Sequence, residues 1–133
     1  MLNHIVLMGR LTRDPELRRT GSGVAVTSFT IACDRDFAQN GQKETDFIDV
    51  TAWRNTAEFV DKYFAKGRMA VVEGRLQIRD WNAQDGSKRR TAEVVADNVY
   101  FGDTKKEAQQ NNFDALNDRF ETLVEIGEDD IPF

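Results

Sequence analysis

DFIDVTAWRNTAEFVDKYFAKGRMAVVEGRLQIRDW (46–81) decides the fold, because it holds a strand, a helix and a second strand in immediate succession. Successive side chains of a strand point to opposite faces. In 46–53 this puts Ile48, Val50 and Ala52 on one face, the core side, and Phe47, Asp49, Thr51 and Trp53 on the other. Residues 56–66 then predict a helix. Ala57, Val60 and Phe64 recur at i, i+3 and i+7, Asn55 or Thr56 is placed to cap the start, and Gly67 stops it. Residues 68–81 predict a long strand with Gly74 in its middle, where a glycine marks a bulge or the sharp bend of a barrel corner. In 75–81, Leu76 and Ile78 share the face expected toward the core, and Arg75, Gln77, Arg79 and Trp81 share the opposite one.

Working outward, HIVLM (4–8) reads as a strand ending at Gly9, Asp14-Pro15 starts a turn, and TGSG (20–23) makes a second. VAVTSFTIAC (24–33) is β-branched and strand-like, and DRDFAQNGQKET (34–45) is a polar loop. Beyond 81, NAQDGS (82–87) is a hairpin loop around Asp85-Gly86, and 89–101 is the return strand. The order strand, strand, strand, helix, strand, strand is that of an all-β, five-stranded OB-fold Greek-key barrel with one helix between strands 3 and 4. Residues 102–133 carry no strand signal and no repeat is visible. The expected organisation is a barrel domain over 1–102, a short polar linker over 103–124, and an acidic tip over 125–133 within a mostly disordered tail.

The net charge of −5 argues at first against a nucleic-acid partner. Its distribution reverses that reading. Residues 1–101 hold 15 Lys/Arg against 14 Asp/Glu, while 102–133 hold 3 against 9, so the acidity belongs to the tail. The single cysteine, Cys33, excludes an intramolecular disulfide and fits a reducing interior. No stretch is long and apolar enough for a signal-peptide core or a membrane span, so the expectation is a cytoplasmic protein with no membrane partner.

The parity of the strands isolates the binding chemistry. Phe47 and Trp53 lie on the polar face of one strand, Trp81 lies on the arginine face of another, and Phe37 lies among charges in a polar loop. An exposed aromatic of this size forgoes ~1.5–3 kcal/mol of burial. For one such residue, burial in the core or a subunit interface is the better reading. For four, interleaved with arginines, a surface for stacking something flat and anionic is better. Single-stranded nucleic acid is both. Base–aromatic stacking contributes ~1–3 kcal/mol per base and tolerates any sequence, while arginines contact phosphates and rings.

On NHIVLMGRLTRDPELR (3–18), TDFIDVTAWRNTAE (45–58), KGRMAVVEGRLQIRDW (66–81), RRTAEVVADNVYF (89–101) and the closing DDIPF (129–133), the chain resembles the bacterial single-stranded DNA-binding protein family. That family is itself a standing example of binding by stacking, so the mechanism travels with the resemblance. The resemblance implies stacking roles for Phe37, Phe47, Trp53 and Trp81, the same four singled out above; two are Phe where many relatives have Trp. It implies phosphate contacts for Arg18, Lys66, Arg79 and Arg89, to which position adds Arg54 and Arg75. Asn55 is uncharged where some relatives are basic. The resemblance further implies a homotetramer of bacterial cytoplasm and nucleoid, with no metal or cofactor. Unpaired backbone groups on the 4–8 strand are the candidate dimer contact, and His4 on that strand reads as structural.

EIGEDDIPF (125–133) joins four carboxylates to an apolar end. Asp129 and Asp130 with Ile131, Pro132 and Phe133 form a hook suited to an apolar pocket ringed by Lys/Arg. A tail that served only solubility has no need to end in Ile-Pro-Phe. By resemblance the partners are replication, recombination and repair proteins. Only QQNN (109–112) has the composition of the family's long linker, and Phe113, Leu116, Phe120 and Leu123 follow at helical spacing.

An enzyme has little support: no phosphate-loop GK[ST], no paired cysteines, no second histidine, and no rigid site around Asp129-Asp130. OB-folds also bind RNA and oligosaccharides. The remaining alternatives are an RNA-binding module, a paralogue serving DNA uptake or a mobile element, and a protein-interaction hub.

Overall fold

A computed structural model describes residues 1–37 and 40–103. Its strands are β1 (Ile5–Leu11), β2 (Glu16–Arg19), β3 (Ala25–Asp34), β4 (Thr45–Trp53), β5 (Met69–Asn82) and β6 (Lys88–Phe101), with one helix, α1 (Arg54–Tyr63), between β4 and β5. They form one sheet in the order β1-β5-β6-β4-β3-β2, which β1 closes by also pairing with β3. All pairings are antiparallel except the short β4–β6 contact of Val50–Ala52 with Val94–Ala96. This is the closed Greek-key barrel expected from the sequence.

The sixth segment has a local cause. Leu11 pairs with Ile31 and Glu16 with Ser28, so five steps along the first strand answer three along β3. Two residues are bulged out around Asp14-Pro15, where proline cannot donate a ladder hydrogen bond. β1 and β2 are thus one barrel strand broken at the turn the sequence marks.

Alternation sets the core. Ala25, Thr27, Phe29 and Ile31 of β3 point inward and are buried, as do Val50 and Ala52 of β4 and Val72 and Val94 of β5 and β6. Among the described residues the one buried hydroxyl, on Thr27, donates to the Glu16 carbonyl at 2.8 Å, so its burial leaves no orphaned donor. Ala57 and Val60 of α1, with Phe64 just beyond it, close one end of the barrel.

The helix runs 54–63 rather than 56–66. Arg54 takes φ +56° as the chain leaves β4, and Phe64 is extended and caps the end, before Gly67 at φ +91°. Neither Asn55 nor Thr56 caps the start: the cap residue is Trp53, with no side-chain hydrogen bond, and Thr56 donates instead to the Asp97 carbonyl.

Gly74 sits at the expected irregularity. Glu73 pairs with Asn98 and Gly74 with Ala96, so Asp97 is the extra residue of a bulge on β6. Past Gly74, β5 and β6 leave the barrel as a two-stranded arm ending in the turn at Gly86 (φ +85°). This overturns one expectation. Leu76 and Ile78 do point to the inward side, but the arm carries them beyond the core and leaves them half-exposed.

Candidate single-stranded nucleic-acid interface

Register carries the outward face from strand to strand. Arg18 of β2 pairs with Val26 of β3, which pairs with Trp53 of β4. Thr51 pairs with both Ser28 and Val95, and on the arm Arg75, Gln77, Arg79 and Trp81 oppose Val95, Glu93, Thr91 and Arg89. Residues paired in a ladder share a face, so one polar surface runs from Arg18 across the barrel to the arm. A groove of about 540 Å³ in it is lined by Arg18, Ser28, Thr51, Trp53, Arg75, Gln77, Arg79, Glu93 and Val95.

All four singled-out aromatics are exposed: Phe37 86%, Phe47 68%, Trp81 46% and Trp53 43%. They do not form one cluster. Trp53 stands in the groove. Trp81 stands on the arm, in a hollow with Arg89 and Lys88. Phe47 lies at the mouth of the barrel beside Ile5, Leu7, Ile48 and Leu76. Phe37 lies in the β3–β4 loop beside Cys33, Asp34, Arg35 and Asp46.

The basic residues divide by their partners. Among the described residues, no carboxylate lies within 4 Å of Arg18, Arg54, Lys66, Arg75 or Arg79, whereas Arg19, Arg35, Arg68 and Arg90 are paired and Arg89 lies 3.9 Å from Asp85. Side chains without a carboxylate partner can meet an incoming anion without first breaking an ion pair. Arg18, Arg75 and Arg79 meet in the groove. Arg54 and Lys66 are not among its lining residues: Arg54 opens α1, and Lys66 lies in the α1–β5 turn, where its backbone N–H donates to Asp14.

The loop bearing Phe37 is held at its base. Arg35 donates through Nε and Nη2 to both oxygens of Asp46, at 3.1 and 2.9 Å, and also pairs with Glu44. The Arg35 hydrogen bond holds the Asp46 carboxyl below its ordinary value, and Thr45 followed by Lys43 does the same for Asp34. A depressed carboxylate stabilises the fold above its ordinary pKa and loses that contribution as pH falls through the depressed one. Acid therefore weakens the clasp. Burial, then Asp46 and Asp34, pushes the Cys33 thiol up, which disfavours the nucleophilic thiolate.

Thr91 and Glu93 are functional candidates that reading the sequence missed. Trp81 Nε1 donates to Thr91 Oγ1 at 2.8 Å across the arm, which fixes the orientation of the ring. Extending the parity argument from Trp81 through the Asp85-Gly86 hairpin into 89–101 would have found both. Thr91→Val keeps the shape and removes the acceptor. The expected result is a several-fold weaker affinity for an oligonucleotide and a changed Trp81 emission, with an unchanged melting temperature and recovery in Thr91→Ser; unaltered emission would show that the bond does not hold the ring.

No group of three or more His, Cys, Asp or Glu among the described residues is arranged to hold a metal ion. No helix among them is long and apolar enough to cross a membrane. The tip residues Asp129, Asp130, Ile131, Pro132 and Phe133 and the stripe from Phe113 to Leu123 lie outside the described residues.

Comparison with known proteins adds to this geometry. The model of the single-strand binding protein family matches residues 2–102. The chain is 43% identical over 132 residues to Single-stranded DNA-binding protein 3 of Clostridium acetobutylicum, covering 98% of this chain and 90% of that one. It is 40% identical over 156 aligned positions to a single-stranded DNA-binding protein of Staphylococcus aureus, with both chains fully covered. It is 52% identical over 106 residues to one from Oceanobacillus iheyensis, covering 79% of this chain and 66% of that one.

Proposed function

The chain belongs to the single-strand binding protein family, and from that premise we propose that it binds single-stranded DNA of any sequence and serves replication, recombination and repair in the bacterial cytoplasm and nucleoid. The observation that carries this reading is the groove in which Trp53 meets three arginines without carboxylate partners, on the same face as Trp81. Bases stack on Trp53 and Trp81, with Phe47 and Phe37 as outlying platforms. Arg18, Arg75 and Arg79 hold phosphates along the groove, Arg89 holds them on the arm, and Arg54 and Lys66 hold strand that continues around the barrel.

Titration with oligo(dT) at low and high salt tests this directly, because Trp53 and Trp81 are the only tryptophans. Deep quenching that saturates at a fixed number of nucleotides per subunit, weakening steeply with salt, is the expected result. Absence of quenching together with absence of a gel shift would leave the aromatics to a protein interface.

The assembly we propose is a homotetramer. Among the described residues β1 pairs with β3 only at Arg10 and Leu11, and none of them pairs with the other edge of Ile5–Gly9, which is left to a second subunit. Val6 and Met8 of β1 and Tyr100 of β6 project half-exposed from the outer face, an apolar surface suited to burial between subunits.

Domain 1–102 is the DNA-binding unit in this reading, 103–124 the linker, and 125–133 the tip that recruits partner proteins through Asp129, Asp130 and Ile131–Phe133. The tip's carboxylates also compete with DNA for the groove's arginines. Removing 125–133 should abolish pull-down of partners and tighten oligonucleotide binding at low salt, with the gain fading as salt screens the charges; equal affinity at all salt concentrations would rule out the competition.

A further inference from the structure

A carboxylate on the floor of an anion-binding groove needs a reason. Glu93 lines the groove with Arg18, Arg75 and Arg79, yet among the described residues no Lys or Arg nitrogen lies within 4 Å of its oxygens. It is not there to neutralise an arginine by contact. Its one side-chain hydrogen bond comes from Thr51 Oγ1, at 3.4 Å to Oε2. A carboxylate has room for about four such bonds, so among the described residues most of its accepting capacity is left to solvent or a ligand. Beside it, Arg75 occupies the Gln77 carbonyl at 3.3 Å, which turns that amide into a donor.

We propose, building on the single-stranded DNA-binding reading, that Glu93 is a specificity-determining residue that grades the affinities of the bases laid in this groove. Thr51 and Trp53 are two residues apart on one face of β4, and Thr51 touches Glu93, so the carboxylate lies beside the base platform. A base stacked on Trp53 presents its edge to Glu93. Cytosine, adenine and guanine offer an exocyclic amino group that donates to an acceptor, and a carboxylate accepting from cytosine N4 is an established pairing. Thymine offers no amino group, and its carbonyl oxygens flank its single N–H. The same charge repels phosphates from the floor, which keeps the backbone at the arginines and turns bases inward. Stacking still admits every sequence; Glu93 ranks them.

Oligo(dC) and oligo(dT) of equal length separate the two effects, since both are pyrimidines with one negative charge per nucleotide. Affinities of the full-length protein and of Glu93→Gln would be measured by tryptophan quenching at 0.15 M salt, where screening acts over about 8 Å. The variant keeps the size of the side chain and makes it a donor as well as an acceptor. The expected result is a selective gain for oligo(dT), so that the dT-to-dC affinity ratio rises by about 3-fold or more in the variant. An equal gain for both oligonucleotides would mean that Glu93 only repels phosphate, and no change for either would mean that it meets no DNA; both overturn the proposal. Failure of the unmodified protein to bind either oligonucleotide would instead sink the function on which it rests.

Discussion

Replacing Trp53 and Trp81 together with alanine should weaken binding to oligo(dT) by at least about 30-fold. Stacking contributes ~1–3 kcal/mol per base by alanine substitution, and 1.4 kcal/mol is a factor of ten in affinity. The two rings belong to separate parts of the surface, one in the groove and one on the arm, so their losses should be close to additive. The double variant has no tryptophan, and the readout is the anisotropy of a labelled oligonucleotide. Both rings are substantially exposed, so the melting temperature should hardly move. That contrast distinguishes a stacking role from a structural one. An affinity within about 3-fold of the parent would move the binding surface elsewhere. Phe37→Ala should cost less than either tryptophan, because a phenyl ring offers less area and its loop is bordered by Asp34, Asp46 and Glu44.

The second large effect is on the barrel itself. A Cβ on Gly74 would lie 2.0 Å from the Val95 carbonyl oxygen and 3.0 Å from the Ala96 Cα. Every one of these neighbours is backbone of the adjacent strand, so no side chain can swing aside. Ordinary overpacking costs ~1–3 kcal/mol, and Gly74→Ala should reach the upper end of that range or pass it. For a domain of about 100 residues, 3 kcal/mol lowers the melting temperature by ~12 °C or more. Gly21→Ala is the matched control, since nothing lies within 4 Å of its added methyl and its φ is not in the left-handed region. A melting temperature within about 3 °C of the parent in Gly74→Ala would show that β5 and β6 can part there at little cost.

The architecture was legible wherever one face of a strand is buried. Val50 and Ala52, or Phe29 and Ile31, alternate cleanly because a barrel wall has one wet side and one dry side. The same rule identified Phe47, Trp53 and Trp81 as exposed, which the barrel bears out. It misled at Leu76 and Ile78, since parity reports direction and says nothing of whether a core exists at that height along the strand. The helix boundaries moved because Asn55 and Thr56 are good caps by composition, while the sharp turn at Arg54 is set by how β4 meets α1. The grouping of Arg18, Arg75 and Arg79 around Trp53 lay beyond the sequence. It depends on four pairings among five strands, and their registers follow from the bulges at Asp14-Pro15 and Asp97 as much as from pattern.

The arm has a consequence for motion. Among the described residues β6 meets β4 only at Val94–Ala96 and Asn3 ties the Leu76 backbone down, so beyond them Ile78–Asn82 and Lys88–Ala92 rest on each other. An isolated two-stranded ribbon is marginally stable in water. Amide protons there should exchange with solvent through openings that leave the barrel intact, while those of Val72 and Val94 wait for global unfolding. A ligand seated on Trp81 must quiet this fluctuation, and the entropy lost is subtracted from what stacking supplies. Substitutions on the arm's far side, at Asp80, Arg90 or Ile78, can therefore shift affinity through stiffness alone, without touching a nucleotide.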